Sequence, residues 1–132
     1  MSVVVAAPVR LWRIGVDTPS YQAHDLSGEG AEVSGGRWNR PGTPLVYTST
    51  TRALACLETV LPVFEKMFKD LGAGSLPLNR YLVAIELPQA LWDAAVVLDP
   101  ATLVGWDAEP AGQASLAWGE AWARGNNSLL AR

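Results

Sequence analysis

The sequence predicts an α+β domain of small mixed β-sheets with flanking helices. Short alternating apolar segments and helical segments interleave without the regular long crossovers of a doubly wound sheet. No Gly-x-Gly-x-x-Gly opens a helix, so the dinucleotide fingerprint of such sheets is missing. At 132 residues, with a hydrophobic fraction of 49%, the chain has the size of one domain, residues 1–132, and enough apolar material for one core.

Val9 to Val16 places Leu11, Trp12 and Ile14 around Arg13, as in a strand whose alternate side chains meet two environments. Asp17 to Ser34 is rich in Gly, Ser, Asp and Thr and reads as a loop with a short helix. Gly35-Gly36 allows backbone angles closed to other residues, and Asn39-Arg40-Pro41-Gly42 has turn chemistry, so Arg37 is presented from tight turns. Pro44 to Thr48 reads as a short strand.

Thr48-Ser49-Thr50-Thr51 supplies N-caps for a helix whose buried face is drawn by Leu54, Leu57, Leu61, Phe64 and Phe68, with Pro62 as a kink or an early end. Cys56 lies inside this pattern and reads as a small buried hydrophobe. Glu58 falls at the rim of the same face, the only charge between Arg52 and Glu65. Gly72 to Pro77 is a loop. Tyr81, Val83, Ile85 and Leu87 then alternate with Leu82, Ala84 and Glu86 in a strand that Pro88 closes.

Leu91-Trp92 starts a short turn, and Ala95 to Leu98 is a brief strand. Leu103 to Pro110 has no clear period, although Trp106 is expected to pack. Ala114 to Arg124 is a helix with Ala114, Trp118, Ala121 and Trp122 on one face, stopped by Gly125-Asn126-Asn127. Ser128 to Ala131 reads as the first half of a strand.

A net charge of -3 and a pI near 5.0 give no basic field, which argues against direct nucleic acid binding. The apolar run Val3 to Ala7 is too short to span a membrane and lacks the basic start of a signal peptide. One cysteine rules out an intrachain disulfide and fits a reducing, cytoplasmic setting. With one Cys and one His, zinc chemistry and a Cys-His dyad lack material, and no nucleophile elbow is present. His24 lies in a polar loop and reads as a surface residue.

Arg37, Tyr47 and Glu58 stand on three successive elements joined by short connections. Taken singly, each has a plain use: a surface ion pair, edge packing, a half-exposed helix glutamate. Together they suggest a pocket in which a guanidinium binds phosphate, a ring stacks on a planar heterocycle and a carboxylate stabilises developing positive charge. A dinucleotide with a cationic leaving group has all three features. Cleavage of a nicotinamide-ribose bond passes through an oxocarbenium-like state that a placed anion stabilises. Arg13 is a second candidate phosphate ligand, and Trp38 either lines the pocket or packs beneath the loop.

These residues resemble the RES domain family, commonly toxins of bacterial toxin-antitoxin pairs. The likeness runs through Leu11-Trp12-Arg13-Ile14, Gly28-Glu29-Gly30-Ala31, Gly35-Gly36-Arg37-Trp38-Asn39 with Pro41-Gly42-Thr43-Pro44, Val46-Tyr47-Thr48-Ser49, Leu57-Glu58 and Trp118-Gly119-Glu120-Ala121-Trp122. The resemblance implies a fold similar to the ADP-ribosyltransferase toxins and the consumption of NAD+, by hydrolysis, by phosphorolysis or by ADP-ribose transfer to a protein, without a metal. It implies that Arg13 and Arg37 hold phosphates, that Tyr47 orients the nicotinamide ribose end and that Glu58 stabilises the oxocarbenium-like state. A helix-turn-helix antitoxin of the Xre type is the implied partner, phosphate a further one, and the oligomeric state is left open; a non-catalytic module that binds a nucleotide or the antitoxin is the alternative reading. The family serine follows a Leu-Leu-Arg-Val-type strand in a Val-Pro-Ser segment, whereas this chain stops at Arg132 in the corresponding strand. The expectation is a domain lacking its last strand or strands, with Ser128 as a stand-in only in a shifted register.

Overall fold

A computed structural model describes residues 7–58, 79–125 and 128–132. Strand β1 (Val9–Val16) pairs antiparallel with β2 (Arg80–Leu87), in a register running from Val9 opposite Leu87 to Val16 opposite Arg80. Helix α1 (Glu29–Ser34) precedes the arginine loop, and residues 52–58 are helical (α2). Helices α3 (Gln89–Asp93) and α4 (Gln113–Gly125) follow β2. The α+β class is therefore observed: the described residues hold helices and a small two-stranded antiparallel sheet.

The chain divides into two compact units. One gathers Pro8–Asp25 with Tyr47–Leu87, the other Leu26–Val46 with Pro88–Arg132.

In the first unit the ribbon forms because β-branched and aromatic residues alternate on both strands. Leu11, opposite Ile85, is buried. Gly15 is buried against the main chain of Ala23: a Cβ there would stand 2.7 Å from the Ala23 carbonyl carbon, so only glycine lets the loop cross at this distance. Ser49 adds an isolated antiparallel bridge to Trp12 through two bonds of 2.7 and 2.8 Å. The expected strand Pro44 to Thr48 does not form. Pro44 has no N–H for a ladder, and in the second unit Leu45 lies with its backbone nitrogen 2.7 Å from where a Cβ of Gly28 would be, so it packs on the start of α1 instead.

Thr51 caps α2, its hydroxyl accepting the Leu54 N–H at 3.1 Å. The buried residue of this helix is Ala55, while Leu54, Leu57 and Cys56 are exposed. Within residues 52–58 the buried position is thus one along from Leu54, and Cys56 is not buried. Leu61, Pro62, Phe64, Phe68 and the loop at 72–77 lie outside the described residues.

In the second unit Pro88 stands at the N-cap of α3, and Val96 bridges Ala131 in parallel. Leu98 N–H reaches the Arg132 carbonyl and Arg132 N–H the Val96 carbonyl, so the expected brief strands meet as a short ladder. Helix α4 buries Ser115, Gly119 and Glu120. Trp118 and Trp122 are half-buried and Ala121 is exposed, so the packed face is turned from the one the tryptophans predict. No helix among the described residues is long and apolar enough to cross a membrane.

Candidate active site

The arginine loop is built from backbone closures that the sequence makes possible. Helix α1 ends at Gly35, whose φ of 69° is open to glycine at little cost and whose N–H reaches the Ala31 carbonyl at 2.8 Å. Gly36 and Asn39 bridge across the next turn, and Gly42 N–H returns to the Glu32 carbonyl at 2.7 Å. Inside this loop the Asn39 side chain is 1% exposed, with Nδ2 donating to the Ala31 and Thr43 carbonyls at 2.8 and 2.9 Å and to that of Arg40 at 3.3 Å. One amide group thereby ties the end of a helix to the far end of a turn.

Helix α4 clamps the same loop. Glu120 is 7% exposed; its Oε1 accepts the Arg40 backbone N–H and its Oε2 the Thr43 hydroxyl, both at 2.7 Å. The Arg40 backbone bond, then the Thr43 hydroxyl, hold this carboxyl below the usual carboxylate range against the opposing effect of burial, with the Arg124 and Arg40 charges adding to the lowering. Gly119 meets the Trp38 backbone directly, since a Cβ there would overlap the Trp38 carbonyl, 2.7 Å from its carbon. The Trp38 ring stacks on Trp106 at 6.4 Å and meets Trp118 edge to face at 5.6 Å. Packing within its unit is the use that the structure shows for Trp38.

Arg37 emerges from this clamp. Its Nη1 donates to the carbonyls of Trp106 at 3.2 Å and Ala108 at 2.6 Å, and its Nη2 meets Glu109 Oε2 at 2.7 Å. Nε–H and one proton on Nη2 take no part in these bonds. The Arg37 side chain is 29% exposed and that of Glu109 83%, so the carboxylate is a solvated counterion that another anion can challenge. Ser128 lies in this unit as well. Its hydroxyl donates to the Leu130 carbonyl at 2.8 Å and accepts from Trp122 Nε1 at 3.1 Å.

Arg13, Tyr47 and Glu58 belong to the other unit. Arg13 sits on β1 opposite Val83. Nη1 of Arg13 donates to the Asp25 carbonyl at 3.1 Å, while its buried Nε–H has no hydrogen-bond partner among the described residues. Burial pushes its pKa down, partly offset by Asp25 and then Tyr21. A buried guanidinium N–H without an acceptor is costly and open to an incoming one. Tyr47 is exposed, two residues before the Ser49 bridge. Glu58 is exposed on α2, whose first turn sends the Arg52 guanidinium to 4.5 Å from the Trp12 ring centre. A separate cleft of about 360 Å³ is lined by Asp17, Gln22, Ala23, His24, Tyr81 and Val83, and none of the expected site residues lines it. Among the described residues no three His, Cys, Asp or Glu side chains group as metal ligands.

Across 10–131 the chain matches the model of the RES domain. The chain belongs to the RES domain family. It is 50% identical over 120 residues to the Prs ADP-ribosylating toxin of Sphingobium sp. (strain YBL2), covering 90% of this chain and 70% of that protein. It is 33% identical over 100 residues to Toxin Res of Pseudomonas putida (76% of this chain, 59% of the relative), and 32% identical over 104 residues to Toxin Res of Photorhabdus laumondii (78% and 60%). This RES domain thus spans about three-fifths of the length of the latter two.

Asn39, Gly119 and Glu120 are the residues of the RES domain whose roles sequence reasoning missed. A signal for Gly119 and Glu120 was present: Gly119 and Ser115, four apart on a helix, mark a face where another backbone comes close. Glu120 beside them was the one carboxylate on that face.

Proposed function

We propose that this RES domain is the toxin of a type II toxin-antitoxin pair and consumes cytoplasmic NAD+ by breaking the nicotinamide-ribose bond. The observation that carries this reading is 50% identity over 90% of the chain with a protein named for ADP-ribosylation, a reaction that starts from NAD+. In the proposed reaction the bond between C1′ of the ribose and the pyridinium nitrogen breaks, and its electron pair neutralises nicotinamide. Phosphate or water then attacks C1′ and releases a proton.

The residues divide the work by chemistry. Arg37, with Nε–H and one Nη2 proton unused in its bonds to residues 106–109, and Arg13, whose buried Nε–H has no partner among the described residues, are each proposed as a phosphate ligand. Tyr47 offers an exposed ring to the nicotinamide end, and exposed Glu58 stabilises positive charge on the ribose. Trp38 supports Arg37 from beneath. Ser128 spends its proton on Leu130, so we give it a structural part. A helix-turn-helix antitoxin of the Xre type is the proposed inhibitor.

A second reading, ADP-ribose transfer to a protein side chain, is favoured by the name of the Sphingobium relative. Incubation with NAD+ labelled in the adenylate half, with and without phosphate, separates the outcomes. Free ADP-ribose means hydrolysis, a phosphate-dependent product phosphorolysis, and label on protein transfer. Glu58→Gln is expected to lower nicotinamide release about a hundredfold or more. Release that persists in this variant removes Glu58 from the mechanism.

A further inference from the structure

We infer that Glu120 is a positioning residue for substrate binding, fixing the loop that presents Arg37 through the Arg40 N–H and the Thr43 hydroxyl. The inference rests on Arg37 being a ligand for the NAD+ phosphates.

A carboxylate on the packed face of a helix is expensive to desolvate, and an apolar residue would pack α4 as well. What an apolar residue lacks is directed acceptors. Glu120 places one oxygen on each side of the Pro41-Gly42 turn, at Arg40 N and Thr43 Oγ1, and these bonds close the loop from its far side. Its other cationic neighbour, Arg124, is 3.5 Å away and reaches out to solvent, so the loop is the principal partner. On the near side, Gly119 fits against the Trp38 backbone. The residue between Gly36 and Trp38 is therefore set by main-chain contacts to α4, while its guanidinium is oriented by the Trp106 and Ala108 carbonyls. A bidentate cation selects phosphate only when its position is fixed, because a misplaced fork loses one of its two bonds.

Such a role makes a specific kinetic prediction. Glu120→Ala is expected to raise KM for NAD+ about tenfold while kcat changes less than about threefold, because phosphate binding is shared by ground and transition states. Glu120→Gln, which keeps one acceptor for Arg40 N–H, should fall between the two. In an Arg37→Ala background the same Glu120→Ala change should alter KM by less than about twofold, since there is no guanidinium left to position. Thr43→Val removes one bond at constant volume and serves if Glu120→Ala does not fold; it should raise KM about threefold through the same dependence on Arg37.

Equal factors in the presence and absence of Arg37, or a fall in kcat at unchanged KM, overturn the positioning role while leaving NAD+ consumption intact. A wild-type chain that releases no nicotinamide overturns the substrate reading and the role of Glu120 with it.

Discussion

In the unit that carries Arg13, Tyr47 and Glu58, the buried side chains among the described residues are Leu11, Ala23 and Ala55, and the frame is an antiparallel ribbon. In the unit that carries Arg37, the buried side chains are Asn39, Ser115 and Glu120, and the frame is a loop held to a helix by directed bonds. The contrast is one of information as well as of chemistry. An apolar contact is indifferent to orientation and tolerates small shifts, whereas a buried amide or carboxylate is stable only when its partners stand at fixed places. A loop that must aim a guanidinium needs the second kind of support.

Each unit has one glycine whose loss tests its framework, and the largest effects are expected there. Glycine to alanine in a helix is usually worth about 1 kcal/mol of added stability. Gly119→Ala is expected to do the opposite and destabilise by about 3 kcal/mol or more, because its Cβ overlaps the Trp38 carbonyl. Gly15→Ala should cost a similar amount in the ribbon unit, where the obstacle is the Ala23 carbonyl. Urea unfolding measures both. A neutral or stabilising Gly119→Ala would remove the close approach on which the clamp depends.

Next in size is the buried amide. Asn39→Ala leaves the Ala31 and Thr43 carbonyls without their donor and is expected to cost about 2 kcal/mol by the same measurement. A cost well below 1 kcal/mol would mean that the loop repacks as freely as an apolar contact, and the contrast between the units would fail.

The same contrast explains what could be read from sequence. Both strands of the ribbon were legible, with β1 at the expected Val9 to Val16, because their alternation repeats over eight residues and is local. Helix α4 was legible for the same reason, and the Gly-Arg-Trp-Asn block announced a tight loop. The clamp was not, since Glu120 meets Arg40 and Thr43 across 80 and 77 positions, a pairing for which no local period exists. The strand expected at Pro44 to Thr48 failed because a short apolar run reads alike whether it enters a sheet or packs beside Gly28. Leu54 and Leu57 misplaced the buried face of α2 because a single turn does not fix which side meets its neighbour.

The acid limb of stability should also separate the units. The Glu120 carboxyl is held below its ordinary value of 4.5, so its contribution is fully present above that value and is lost as pH falls through the lower folded-state pKa. Protonation removes the acceptor facing the Arg40 N–H or the Thr43 hydroxyl, and weakens attraction to Arg124 and Arg40. Wild type should therefore lose melting temperature below about pH 4.5, while Glu120→Gln, already less stable at neutral pH, should approach it in acid. Parallel melting curves across that range would show that the carboxylate charge is irrelevant to the loop.

The smallest effect is expected from the ion pair that crosses the ribbon. Arg10 and Glu86 meet at 3.0 Å, but their side chains are 53% and 60% exposed, so water screens the pair. Arg10 also lies 5.9 Å from the Trp12 ring centre, a contact that does not need Glu86. Glu86→Gln should change stability by less than about 0.5 kcal/mol, and less still in high salt. A loss above about 1 kcal/mol would show the ribbon to rely on directed charge as the arginine loop does. Pattern and packing would then no longer suffice to explain why this half of the molecule was the readable one.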